Sequence, residues 1–167
     1  MDIYLQLAGI PGTSVERDHR DWIEVTSATW GVEQTGAGGG PASGPGGAGQ
    51  GGGGGSGKSA QNPLVVSAPT TIATPLIFEA VAKGIHLPTA KLEVVRGSSG
   101  RGVVVIRWEF EDVRLTRLDV AGAQPGFDDA FQLIAKRVRL SVSQTTATGA
   151  PGQPVARGWD FAAHQPW

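Results

Sequence analysis

The chain has 167 residues, of which 40% are hydrophobic and 17% charged, a balance too apolar for a disordered chain and too polar for a membrane-embedded one. Its 14 Lys and Arg against 15 Asp and Glu leave a net charge of −1, which removes any global electrostatic attraction to nucleic acid or an anionic membrane. Cysteine is absent, so disulfides and thiolate metal sites are excluded.

From Met1 the chain enters an alternating stretch, Asp2 to Ala8, with Ile3, Leu5 and Leu7 on one face. That period of two predicts a strand, and Gly9-Ile10-Pro11-Gly12 ends it. The start has neither a basic region nor a continuous apolar run, so no signal peptide is expected. The longest aliphatic run, Val103 to Ile106, is far shorter than the roughly 20 residues a membrane-spanning helix needs. Between Trp22 and Val32 the apolar phase moves from Ile23 and Val25 to Ala28, Trp30 and Val32, which predicts one bent strand with a bulge near Ser27.

From Gly36 to Gly57, 14 of 22 residues are Gly and the rest are Ala, Pro, Ser or Gln. Such a tract has no side chains to bury and is expected to be a flexible loop inside a single domain spanning 1–167. Its end, Gly52 to Ser59, satisfies the P-loop pattern. That motif requires a strand before it and a helix after it, whereas a Gly tract precedes it here and Pro63 follows, so nucleotide binding through Lys58 is not the favoured reading.

Leu64 to Ser67 predicts a short strand. Thr74-Pro75 then opens a helix over Pro75 to Lys83, with Thr74 as N-cap, Pro75 in the first turn and Gly84 as the stop. Leu76, Ile77, Ala80 and Val81 supply its apolar stripe. Ala90 to Arg96 and Gly102 to Glu111 flank the turn signal Gly97-Ser98-Ser99-Gly100, and Val104, Ile106, Trp108 and Phe110 share a face. Val113 to Leu118, Phe131 to Ser143 and Val155 to Phe161 predict further strands. Short strands with one helix point to a mainly β fold, a barrel or a sandwich.

Candidate chemistry is sparse. His19, His86 and His164 stand apart from one another and read as surface or core-rim residues rather than metal ligands. Ser98-Ser99 is explained by its turn, and no nucleophile elbow occurs. Glu109, Glu111 and Asp112 could form a carboxylate pair, but Glu109 and Glu111 fall on the polar face of a strand. Arg114, Arg117, Arg137 and Arg139 could line a face for single-stranded nucleic acid, as in an OB-like barrel, although no aromatics interleave with them. No enzymatic activity and no cofactor is expected.

Three stretches together resemble the haemolysin-coregulated protein (Hcp) family, the tube subunits of type VI secretion systems. They are Asp2-Ile3-Tyr4-Leu5 with Gly9-Ile10-Pro11-Gly12 and Ile23-Glu24-Val25 running to Thr29-Trp30-Gly31; the Gly-rich stretch closing on Gly57-Lys58 and followed by Thr74-Pro75; and Leu133, Val138 and Leu140 with Gly158-Trp159-Asp160. Thr71, Ala130 and Val142 depart from the family pattern. The resemblance implies a β-barrel of two packed antiparallel sheets with one flanking helix and a long extended loop. It also implies hexameric rings stacking into a tube, propelled by a contractile sheath behind tip spike proteins and able to hold small effectors, with no role for nucleic acid or membrane. In this reading Gly36, Gly57 and Lys58 mark an inter-ring loop, and Trp30, Gly31, Thr74, Pro75, Gly158 and Trp159 are structural positions. The protein would be made in the cytoplasm and secreted through the machine.

Overall fold

The computed structural model describes residues 1–35, 58–97, 102–123, 126–145 and 151–167, with the side chains of residues 35, 123, 145 and 151 excepted. Gly36 and Gly57, and the centre of the Gly97–Gly100 turn, therefore lie outside the described residues. Chain order is β1 (Asp2–Leu7), β2 (Ile23–Val25), β3 (Ser27–Thr35), β4 (Lys58–Pro69), α1 (Ala73–Lys83), β5 (His86–Arg96), β6 (Val103–Ala123), β7 (Gly126–Thr145), β8 (Pro151–Asp160) and β9 (Gln165–Pro166). No helix among these residues is long and apolar enough to cross a membrane.

The strands form one antiparallel sheet in the order β2-β1-β5-β6-β7-β4-β3, with β8 added on β7 and β9 on β8. β2 and β3 stand at opposite ends of that order, yet only Thr26 separates them in the chain. The sheet therefore curls until its two ends meet, and its two packed halves belong to one continuous sheet. The bend expected near Ser27 is this junction. The Thr26 N–H donates to the Ser67 carbonyl at 2.8 Å and its hydroxyl to the same oxygen at 2.9 Å, so the corner is fixed by chain continuity and side-chain bonding rather than by a ladder.

Period-two patterning fills the inside of the curl. Leu5, Leu64, Val66, Leu92, Phe110, Val113, Leu115, Phe131 and Leu133 are buried there, joined by Ile77 from α1. Each such side chain contributes about 1.5–3 kcal/mol by leaving water. The helix ends as expected: Gly84 adopts a left-handed φ of 64°, its N–H reaches the Val81 carbonyl, and the Ile85 N–H reaches Ala80 at 3.0 Å, the paired bonds of a glycine C-cap.

The helix start differs from expectation. It lies at Ala73, and the residue before it, Ile72, has no side chain to cap it; the Ala73 N–H donates to Thr71 Oγ1 at 3.3 Å. Thr74 is already inside the first turn, where its hydroxyl donates to the carboxylate of Asp129 instead. The buried stripe is Ala73, Thr74, Ile77 and Ala80, and Leu76 is 37% exposed.

The strands expected at 102–111 and 113–118 form one strand, β6, because β5 and β7 pair with it on both sides of Asp112. Asp112 takes the irregularity with a φ of 52°. It lies between the Leu87–Val113 and Thr89–Glu111 pairs, next to Pro88, which has no N–H to give the ladder. β4 likewise extends beyond Leu64–Ser67, with Pro63 falling between its pairing to β3 at Asn62 and its pairing to β7 from Leu64.

Candidate functional site

The edge of β7 serves two strands in succession. β4 pairs with it over Asp128–Leu133 and β8 from Arg137 onward. At the changeover the Gln61 side-chain amide donates to the Ala135 carbonyl and accepts from its N–H at 3.3 Å, replacing the missing ladder bonds. Beyond it, β4 leaves with β3 as a two-stranded arm, Gly31–Thr35 against Lys58–Asn62.

A cleft of about 950 Å³ lies between this arm and the β7–β8 sheet. Trp30, Val32, Val138, Leu140, Trp159 and Phe161 give it apolar walls, and Glu33, Lys58, Arg157 and His164 line it as well. Four residues singled out from sequence, Trp30, Lys58, Gly158 and Trp159, are thus brought together, although they come from three strands. Gly31 sits beside them, opposite Asn62. Thr74 and Pro75 lie elsewhere, on α1. Lys58 begins β4, so a strand follows the P-loop-like run where a phosphate-binding loop would need a helix.

Gly158 has a specific steric role. A Cβ there would stand 2.5 Å from the Trp167 carbonyl oxygen, and the Trp167 N–H donates to the Gly158 carbonyl at 3.1 Å. The bare backbone lets the C-terminal residues fold back on β8. Trp167 then receives the Arg139 guanidinium over its ring, 4.4 Å from the centroid.

On the opposite face of the sheet, charges alternate across strands. Arg137 Nε donates to Asp160 at 2.9 Å and its Nη1 to Glu111 at 3.2 Å. The Arg137 guanidinium holds the Asp160 carboxyl below its usual range, helped by the Ala163 and Ala162 N–H groups. Arg117 pairs with Asp119 at 2.5 Å. Arg117, Arg137 and Arg139 are thus engaged within the chain, and the four arginines considered from sequence do not form a common unneutralised face. Glu111 is a partner of Arg137, not half of a carboxylate pair.

Two histidine contacts are invisible in the spacing of the histidines. Exposed His86 meets Asp112 at 2.8 Å, which lowers the Asp112 carboxyl below its usual range. His19 is buried and lies between Glu16, at 2.6 Å, and Glu93, at 2.8 Å. Only the Glu16–His19 spacing of three was available as a signal; Glu93 is 74 residues away. Among the described residues no group of three or more His, Asp or Glu side chains is placed to hold a metal ion. What the cleft offers chemically is contact area: aromatic and aliphatic walls with charged residues among them.

The sequence matches the family model described as type VI secretion system effector, Hcp, over residues 4–148. A comparison with curated proteins finds no match by sequence. The fold is similar to that of a solved type six secretion system protein, with a TM-score of 0.85 at 22% identity, covering 99% of each chain. It is also similar to Hcp1 from Salmonella typhimurium, with a TM-score of 0.77 at 22% identity, covering 99% of this chain and 98% of that one. A type VI secretion system effector from Yersinia pestis gives a TM-score of 0.71 at 16% identity over 95% and 99% of the two chains.

Proposed function

Because the chain belongs to the Hcp family of type VI secretion system proteins, we propose that it is a non-enzymatic structural subunit that closes into hexameric rings, stacks them into a tube and carries small effectors. The single observation behind this reading is the family match across residues 4–148. In this reading residues 1–167 act as one domain without a cofactor, and the subunit is made in the cytoplasm. It leaves through the secretion machine, in contact with a contractile sheath and tip spike.

The geometry supports assembly. Among the described residues, the outer edge of β3 and the edge of β8 before Trp159 pair with no further strand. Such edges invite a neighbouring chain. Val32, Val142, Val155, Ile72 and Phe127 are exposed apolar side chains, and burial against a second subunit would take them out of water. Gly36 to Gly57, continuing into Lys58, is assigned to contacts between stacked rings. Trp30, Gly31, Gly158 and Trp159 shape the cleft beside the arm, and Thr74-Pro75 lies in the first turn of the flanking helix.

Negative-stain imaging and light scattering over a range of concentrations test the proposal. Annuli, and mass rising with concentration, are expected; a strict monomer under tube-promoting conditions overturns it. Shortening Gly36 to Gly57 is expected to weaken stacking more than ring closure.

A further inference from the structure

Residues 9–22 join β1 to β2 and carry no strand or helix of named length. Their backbone bonds are largely internal. Gly12 N–H donates to the Asp21 carbonyl at 2.7 Å, Asp21 to Ser14 at 2.9 Å and Ser14 to Trp22 at 3.0 Å. These bonds give the segment its shape without tying it to the sheet. Within the segment, Ser14 is buried and Ile10 is buried in the core, its N–H donating to the Leu7 carbonyl of β1 at 3.1 Å; beyond that anchored start, His19 makes the charged attachment.

The His19 ring is 3% exposed. It stacks on Tyr4 of β1, with centroids 4.3 Å apart at 13°, and meets Trp22 edge-on at 4.8 Å. Nδ1 lies 2.6 Å from Glu16 Oε2, on the segment itself, and Nε2 lies 2.8 Å from Glu93 Oε2, on β5. The second Glu93 oxygen accepts from Arg107 Nε of β6 at 2.6 Å. The charged groups reaching the ring are therefore Glu16 from the segment, Glu93 from β5 and, through Glu93, Arg107 from β6; β1 contributes the Tyr4 ring.

Counting protons decides what this cluster is. An ionised carboxylate only accepts, and a neutral imidazole has one N–H and one lone pair. With two ionised carboxylates and a neutral ring, one of the two short N···O contacts would set lone pair against lone pair. Each contact needs a proton, so the cluster carries one more than a neutral histidine supplies. With that proton the charges balance, Glu16 and Glu93 against His19 and Arg107. The Glu16 carboxyl is held below its usual range, chiefly by its hydrogen bond to His19, so in the Nδ1–Glu16 contact the proton belongs to the ring rather than to Glu16.

We propose that Glu16, His19 and Glu93 form a proton-operated latch: the bound proton fastens residues 9–22 to the β5–β6 face, and its transfer to water releases them. After release of the proton, an imidazole lone pair faces the buried Glu93 carboxylate, and the mismatch is relieved by the segment swinging out with His19. Glu93 keeps Arg107, so the sheet itself stays intact.

The test is made on the full-length protein, following the His19 ring nitrogens and the His19–Tyr4 ring contact by NMR from mildly acidic to alkaline pH. Both nitrogens are expected to carry protons while the rings are in contact. The contact should weaken about tenfold as one proton is lost, with β5 and β6 amides unaffected. Glu93→Gln, whose amide can donate to a neutral ring, is expected to keep the contact and abolish the pH step. A single protonated ring nitrogen throughout, or a ring contact that stays constant while the ring loses its proton, overturns the latch.

Discussion

Asp129 is buried and accepts two hydroxyls, Thr70 Oγ1 at 2.6 Å and Thr74 Oγ1. It thereby joins the start of β7 to the chain entering α1. Removing one partner leaves a buried polar group unsatisfied, so Thr74→Val is expected to cost about 1–3 kcal/mol in a denaturant melt. Asp129→Ala should cost a similar amount, because both hydroxyls lose their acceptor. Thr74 was legible as a residue of the helix start, since Thr-Pro is a strong opening signal, but its task was not: the acceptor is 55 residues away. Local patterning favours a cap, and a tertiary partner took the hydroxyl. The His19 cluster escaped for the same reason. Asp160 carries the acid-side prediction. Its carboxyl is lowered first by Arg137 and then by the Ala163 and Ala162 N–H groups, so its contribution is present above the ordinary Asp range near 3.9 and is lost as pH falls through the lower folded value. Asp160→Asn should therefore be less stable at neutral pH and lose less stability on acidification, read by circular dichroism along a pH series.

At the scale of elements, the positions visible in sequence were those governed by short-range backbone rules. Gly84 was identified as the helix stop because only glycine adopts a left-handed φ at little cost, and it stands at 64°. Gly84→Ala is expected to lower the melting midpoint by an amount equivalent to about 1 kcal/mol. Ile77, at the centre of the buried stripe, should cost about 2–5 kcal/mol on truncation to Ala, whereas exposed Phe78 should tolerate Ala with little change. Strand lengths were less legible. β6 was divided at Asp112 because a charged residue interrupts its alternation, yet pairing on both edges carries the ladder across it. β9 has two residues, too few for any period to register, and its place depends on Gly158 admitting Trp167. The cleft combined both situations: Trp30, Lys58, Gly158 and Trp159 were visible singly, but their meeting follows from β4 leaving β7 where β8 begins.

For the whole molecule, the curl of the sheet hides its apolar face only as far as the arm covers it. Past the cleft, the same face continues along β7 and β8, where Val142 pairs with Val155. These side chains are 42% and 66% exposed. A charge at Val155 meets water in the isolated subunit, and surface substitutions of that kind change folding stability by only about 0.5 kcal/mol in either direction. Within a ring the same charge would be forced against a neighbour, where an unpaired buried carboxylate is far more costly. Val155→Glu is therefore expected to leave the melting curve of the dilute subunit nearly unchanged while shifting ring formation to markedly higher concentration in light scattering. The cost has to appear in assembly alone: a variant that unfolds would implicate the core instead, and one that closes rings as readily as the parent would place this row of valines outside the subunit contact.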